Sequence, residues 1–68
     1  MKMMGQILEY NEVDSLGYIK GFDDMVYLFH QIHVKQNVQL KKGDIVKFDF
    51  SLNGENNMPY AMDIEIVE

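Results

Sequence analysis

Alternation of apolar and polar residues from Ile45 to Leu52 constrains the fold more than any other feature of the sequence. Successive side chains of a β-strand point to opposite faces, so this pattern predicts a strand with one buried and one solvated face. The buried face would hold Val46, Phe48, Phe50 and Leu52. An Asn-Gly pair follows at positions 53 and 54 and predicts a hairpin turn, because both residues tolerate positive φ.

Other segments repeat this strand pattern and none has a sustained helical one. Strands are predicted over Gly5–Asn11, Leu16–Phe22, Met25–His30 and Pro59–Val67, with Ile7 in the core. Residues 31–42 lack helical periodicity and predict a loop with at most one short helical turn. Five short strands favour closure, since a closed sheet has no exposed edge. We therefore expect residues 1–68 to form one domain, a small all-β barrel of five strands.

The composition narrows the possible functions of this acidic chain. Its formal net charge is −5, and all six basic residues are lysines. Proteins that bind nucleic acid through phosphate contacts are ordinarily basic and use arginine for bidentate contacts. There is no cysteine, which excludes disulfides and thiolate metal sites. No apolar run is long enough to cross a bilayer, so we expect a soluble cytoplasmic protein without a membrane partner.

Aromatic residues are concentrated in the second and third predicted strands, Leu16–Phe22 and Met25–His30. If these strands form a hairpin, Tyr18, Tyr27 and Phe29 can share one face. Open aromatic faces of this kind stack unpaired bases of single-stranded RNA or DNA. The alternative is that the aromatic side chains form the core of the barrel.

Several motifs occur in an order that matches one known family. They are GQILEYNEVDSLGYI from Gly5, DMVYLFHQI from Asp24, the set Leu40, Gly43, Val46 and Phe48, and the closing set Pro59, Ala61 and Ile64. In this order and spacing the chain resembles the bacterial cold-shock proteins. That family consists of OB-type barrels that bind single-stranded RNA and DNA, so the resemblance implies a five-stranded antiparallel Greek-key barrel of OB-fold type that binds single strands. Because this chain departs from the family motif, we expect the binding to be weak and to have little sequence preference.

The resemblance also implies where bases would bind. In the second motif, a strict count from Asp24 puts Val26 and Leu28 at the family's aromatic and histidine positions, whereas a shift by one residue puts Tyr27 and Phe29 there. We prefer the shifted register, because it buries Val26 and Leu28 and keeps the aromatic rings beside Tyr18. The predicted nucleic-acid site comprises Tyr10, Tyr18, Lys20, Tyr27, Phe29 and His30.

Departures from the family motif support an alternative function. Leu8 and Glu9 stand where the family has a lysine and a stacking tryptophan, and Asp14 replaces a second lysine. The chain also has six methionines, a residue that suits adaptable contact surfaces. A barrel of this kind could serve as a protein-interaction module or form a homodimer, with Leu8, Leu16 and Phe22 joining Tyr18, Tyr27 and Phe29 on an apolar outer face.

No pattern predicts catalysis or a cofactor. Ser15 and Ser51 have no adjacent histidine in a nucleophile motif, and there is no phosphate-binding glycine run. His30 and His33 lie near a strand end, where residues three apart point to opposite faces, and no third ligand is placed with them. We expect a protein that is not an enzyme and holds no metal.

Overall fold

The strands predicted from alternation are present in the structure. A computed structural model describes residues 2–35, 39–52 and 58–67. These residues form the strands β1 (Met3–Asn11), β2 (Leu16–Gly21), β3 (Val26–His30), β4 (Ile45–Ser51) and β5 (Tyr60–Ile66). One turn of 3₁₀ helix, Gln31–His33, follows β3, as the sequence allowed. The predicted Asn53-Gly54 turn lies outside the described residues.

The strands close into a barrel in the order β1-β2-β3-β5-β4. Neighbouring strands are antiparallel, except that β3 and β5 run parallel and pair at Leu28 and Tyr60. The Leu28 N–H also donates to the Pro59 carbonyl across this junction, at 3.1 Å. This closed, all-β barrel with OB-type strand order confirms the predicted fold class. The prediction that all neighbouring strands are antiparallel is wrong only for β3 and β5, which run parallel.

Buried side chains from every strand fill the barrel. The buried apolar residues are Ile7, Ile19, Tyr27, Phe29, Leu40, Val46, Phe48, Ala61 and Ile64. The core positions predicted at Ile7, Val46 and Phe48 are therefore confirmed. Phe50 and Leu52 are exposed, so their predicted burial is wrong. The pairing of β4 with β1 ends at Phe48, and beyond that point β4 has no β1 strand beside it.

A β-bulge changes the predicted alternation of β5. Lys47 pairs with Glu65 and Asp49 with Met62, which leaves two residues of β5 opposite one of β4. Asp63 occupies this bulge with a φ of 50°, in the left-handed region. Because the extra residue shifts the alternation, Ala61 is buried together with Ile64, whereas Met62 is only partly buried.

The described part of the chain has neither a membrane-spanning helix nor a metal-binding cluster of side chains. Within residues 2–35, 39–52 and 58–67, no helix has the length and apolarity needed to cross a membrane. In the same ranges, no three or more histidine, aspartate or glutamate side chains are grouped so that they could hold a metal ion.

Candidate binding face

The register of β3 decides which side chains the barrel presents to solvent. Gly17 pairs with Phe29 and Ile19 with Tyr27 across β2 and β3. Tyr27 is 0% exposed and Phe29 is 1% exposed, so both rings lie in the core. The prediction that these two residues stack bases on an outer face is therefore wrong. The strict count from Asp24, which we did not prefer, has the register that the structure shows.

A glycine on β2 explains why the Phe29 ring points inward. A Cβ on Gly17 would lie 2.6 Å from the Phe29 ring and 2.7 Å from the Glu9 carbonyl oxygen, closer than real Cβ contacts. Only glycine leaves the space that this ring fills. Tyr10, which pairs with Gly17, stacks on Phe29 at 6.0 Å with an interplanar angle of 11°. Tyr10 is thus half-buried against the core rather than open on the predicted face.

Tyr27 links the core to the turn between β2 and β3. Its ring packs edge-on against Phe48 at 5.1 Å, and its hydroxyl donates to the Asp23 carboxylate at 2.6 Å. Burial, together with this hydrogen bond, raises the pKa of Tyr27 to about 12. The same hydrogen bond lowers the pKa of Asp23 below its ordinary value. Asp23 is therefore a structural partner of a core tyrosine.

The inward register of Tyr27 and Phe29 leaves aliphatic residues on the outside of β1, β2 and β3. We call the surface formed by Leu8, Leu16, Tyr18, Val26 and Leu28 the apolar face. Its members other than the half-buried Leu28 are 37–38% exposed. Tyr18 pairs with Leu28, and Leu8 is the extra residue of a bulge in β1 next to Tyr18. The face therefore has members on three neighbouring strands, and Glu9 is the β1 residue paired directly with Tyr18.

Three of the predicted site residues do lie on the outside of β2 and β3. Tyr18 is the aromatic member of the apolar face, and Lys20 and His30 flank it. The Lys20 ammonium lies 3.7 Å from the Asp24 carboxylate, so a nearby negative charge already offsets this cation. His30 Nδ1 accepts a hydrogen bond from the Ile32 N–H at 3.1 Å. The structure thus brings together Tyr18, Lys20 and His30, but not Tyr10, Tyr27 and Phe29.

Acidic residues surround the apolar face on two sides. Glu9 pairs with Tyr18 at the β1 edge and is exposed. Glu12 and Asp14 lie exposed in the turn that follows β1, and Asp24 lies in the turn that follows β2. The potential around this face is therefore negative, which opposes phosphate groups and attracts cationic side chains.

Leu8 and Leu16 were predicted for an outer contact patch, but Val26 and Leu28 were predicted to be buried, and the sequence contains a signal for their exposure. Gly17 and Gly21 share one side of β2 with Ile19. Small residues on one strand leave room for large rings on the next, so these glycines indicate that Tyr27 and Phe29 belong inside. Leu16, Val26 and Leu28 then follow as outer residues by alternation.

Comparison with models of known protein families gave no match to this chain. A search of curated proteins likewise found no matching sequence. The functional reading of the apolar face therefore depends on its own geometry and charge.

Proposed function

We propose that this protein is a binding module whose apolar face contacts another protein. The partner presents apolar side chains flanked by lysine or arginine. One observation carries the proposal, namely that apolar side chains of three neighbouring strands lie exposed or half-buried on the outside of β1–β3. In OB-type barrels this side is the ligand-binding side. The module has no chemical step, and because the chain contains no cysteine we propose that it acts in the reducing cytoplasm.

The charge around the face selects the class of partner. Glu9, Glu12 and Asp14 lie beside it, and the neighbouring Lys20 and Asp24 form an exposed pair with no net charge. Phosphate neutralisation supplies most of the affinity of proteins for nucleic acid, and it requires free cations. An interface with an aliphatic and tyrosine centre and a charged rim is typical of protein contacts. A cationic, apolar protein surface complements both properties.

Binding of single-stranded RNA or DNA is the second candidate function. The resemblance to cold-shock proteins implies it, and we propose the chain as a divergent member of that family, supported by the OB-type strand order. Tyr18, His30 and Tyr60 lie on neighbouring strands and could stack bases, each worth about 1–3 kcal/mol. The bases would then bind weakly, because the Tyr27 and Phe29 rings are in the core.

One lysine substitution separates the two candidates, because it acts on them with opposite signs. Val26→Lys removes apolar surface where β3 begins, opposite Lys20, and adds a positive charge there. Binding of a short peptide of alternating leucine and lysine should weaken about tenfold or more. Binding of oligo-dT or oligo-U should instead strengthen, since the new charge neutralises phosphate. Val13→Lys is the matched control, because it adds the same charge in the acidic turn beside the face but removes no surface from the face, since Val13 is 92% exposed and is not one of its members.

The measurement is a titration of the labelled protein followed by NMR amide shifts. A second peptide with serine in place of leucine controls for charge alone. The proposal is supported if the leucine peptide binds more tightly and shifts residues of β1–β3. Equal binding of the two peptides overturns it. Saturable oligonucleotide binding that Val26→Lys strengthens establishes the second candidate instead. A sedimentation mass that rises with concentration, and that Val26→Lys holds at the monomer, identifies a second copy as the occupant.

A further inference from the structure

We infer that a cleft at one end of the apolar face receives a single phenyl or branched aliphatic side chain of the partner. This inference rests on the proposed function and adds the chemistry of its central contact. The cleft lies where β3, the 3₁₀ helix and β5 meet. Its lining includes Leu16, Leu28, Phe29, His30, His33 and Tyr60.

The size of the cleft matches one side chain. It is open to solvent and has a volume of about 150 Å³. A cavity of roughly this volume with an aliphatic and aromatic lining is large enough for benzene. Leu16 and Leu28 belong both to the cleft and to the apolar face, so a partner spread over the face would reach the cleft. Energetically dominant contacts in interfaces are commonly such anchors in desolvated pockets.

Hydrogen bonds hold the walls of the cleft in place before any ligand arrives. His30 Nδ1 accepts from the Ile32 N–H at 3.1 Å, which leaves Nε2 as the N–H donor of the neutral ring. The Gln31 N–H donates to the Ser15 carbonyl at 2.9 Å and joins the 3₁₀ helix to the turn before β2. Leu28 is held to Pro59 at 3.1 Å on the other side. Preorganised walls lower the entropy cost of binding.

Two leucines on the same face provide a matched test. Leu16 is 37% exposed and lines the cleft, whereas Leu8 is 38% exposed and is not among the lining residues. Benzyl alcohol serves as the phenyl probe, and binding is followed by the methyl NMR signals of Leu28 and Ala61. Saturable shifts confined to the cleft are expected. Leu16→Ser should weaken the affinity roughly fivefold, and Leu8→Ser should leave it unchanged.

Three results would overturn the cleft assignment. They are an absence of shifts, equal shifts over the whole face, and equal effects of the two serine variants. Tighter binding of thymidine or uridine than of benzyl alcohol would assign the cleft to a base instead. The leucine–lysine peptide separates this inference from the proposed function. If that peptide binds while benzyl alcohol does not, the cleft fails and the face stands. If only benzyl alcohol binds, the partner proposal fails and the apolar cleft stands.

Discussion

The outer surfaces of the two halves of this barrel differ in chemistry although both surround the same core. On β4 and β5, Lys47 lies 3.6 Å from Glu65, and Lys35 approaches the same carboxylate at 3.5 Å. Lys2 lies 3.7 Å from Asp49 on the same side. On β1, β2 and β3, the corresponding outward positions hold Leu8, Leu16, Tyr18, Val26 and Leu28.

This difference shows that the barrel does not require apolar residues on its outside. Ion-paired side chains occupy part of the outside of β4 and β5, beside the exposed Phe50 and Leu52, while the inward residues of all strands close one core. The apolar side chains on the outside of β1–β3 stabilise the fold less than the buried core does. Apolar patches with polar rims commonly mark contact sites. The exposed apolar side chains of β1–β3 are therefore a functional signal that the core does not explain.

The largest expected loss of stability tests the register of β3, on which the comparison of the two halves of the barrel depends. Phe29→Ala removes a ring that is 1% exposed and packed over Gly17, so unfolding should become easier by about 3–5 kcal/mol. Denaturant unfolding gives the free energy. Phe22→Ala is the matched control, because Phe22 is 66% exposed and should change stability by only about 0.5 kcal/mol. If the two alanine variants were equally stable, Phe29 would lie outside and the apolar face would not exist as described.

The next effect concerns Tyr27, whose ring contacts both halves of the barrel. Tyr27→Phe removes the hydrogen bond to Asp23 and should cost about 1 kcal/mol at neutral pH. The unfolded phenol titrates near pH 10 and the folded one near 12, so this stabilisation is complete below pH 10 and is lost as the pH rises towards 12. Unfolding midpoints between pH 8 and about 12 should therefore converge for the wild type and Tyr27→Phe.

Tyr18→Phe is the control for the pH series, since Tyr18 lies on the outer face with 37% exposure. Its curve should follow that of the wild type. A Tyr27→Phe curve that stays parallel to the wild type throughout would contradict the buried hydrogen bond. The pH dependence of stability has the opposite sign for Asp23, whose carboxyl group titrates at acid pH. Because the pKa of Asp23 is lowered in the folded protein, its carboxylate stabilises the fold at pH values above its ordinary pKa of 3.8. This stabilisation is lost as the pH falls through the lowered pKa of the folded state.

A smaller effect on stability is expected from the apolar face itself. Val26→Lys should change the free energy of unfolding by about 0.5 kcal/mol, because the side chain already borders solvent. Its effect should appear in peptide binding instead. Thermal unfolding of Val26→Lys beside Val13→Lys checks this separation. A loss of several kcal/mol would make Val26 a core residue and remove the contrast between folding and contact.

The smallest effect is expected on β4 and β5. Partial burial raises the pKa of Glu65, but the charges of Lys35, Lys47 and Lys2 together with a hydrogen bond from Lys35 leave it lower than its ordinary value. Exposed ion pairs contribute little and are screened by salt. Glu65→Gln should therefore shift the thermal midpoint slightly at low salt and not measurably at physiological salt. A large, salt-independent shift would show that the ion pairs of β4 and β5 contribute more to stability than exposed surface charges do.

Local patterns in the sequence determined much of the fold. The period of two located every strand within two residues of its observed bounds, and the turn at Gly43 adopts the positive φ of 96° that glycine allows. Ile7, Val46 and Phe48 were assigned to the core correctly. These features depend on neighbours along the chain, so sequence alone determines them.

Only the tertiary structure decided which side of β3 faces the core. Both sides of this strand are apolar, so its own pattern cannot choose between Tyr27 with Phe29 and Val26 with Leu28. The choice depends on the space above Gly17 on the neighbouring strand. Bulges at Leu8 and Asp63 likewise shift the alternation through pairing between strands. The candidate site moved from a set of aromatic rings to an aliphatic face because contacts between strands, rather than within them, determine what remains outside.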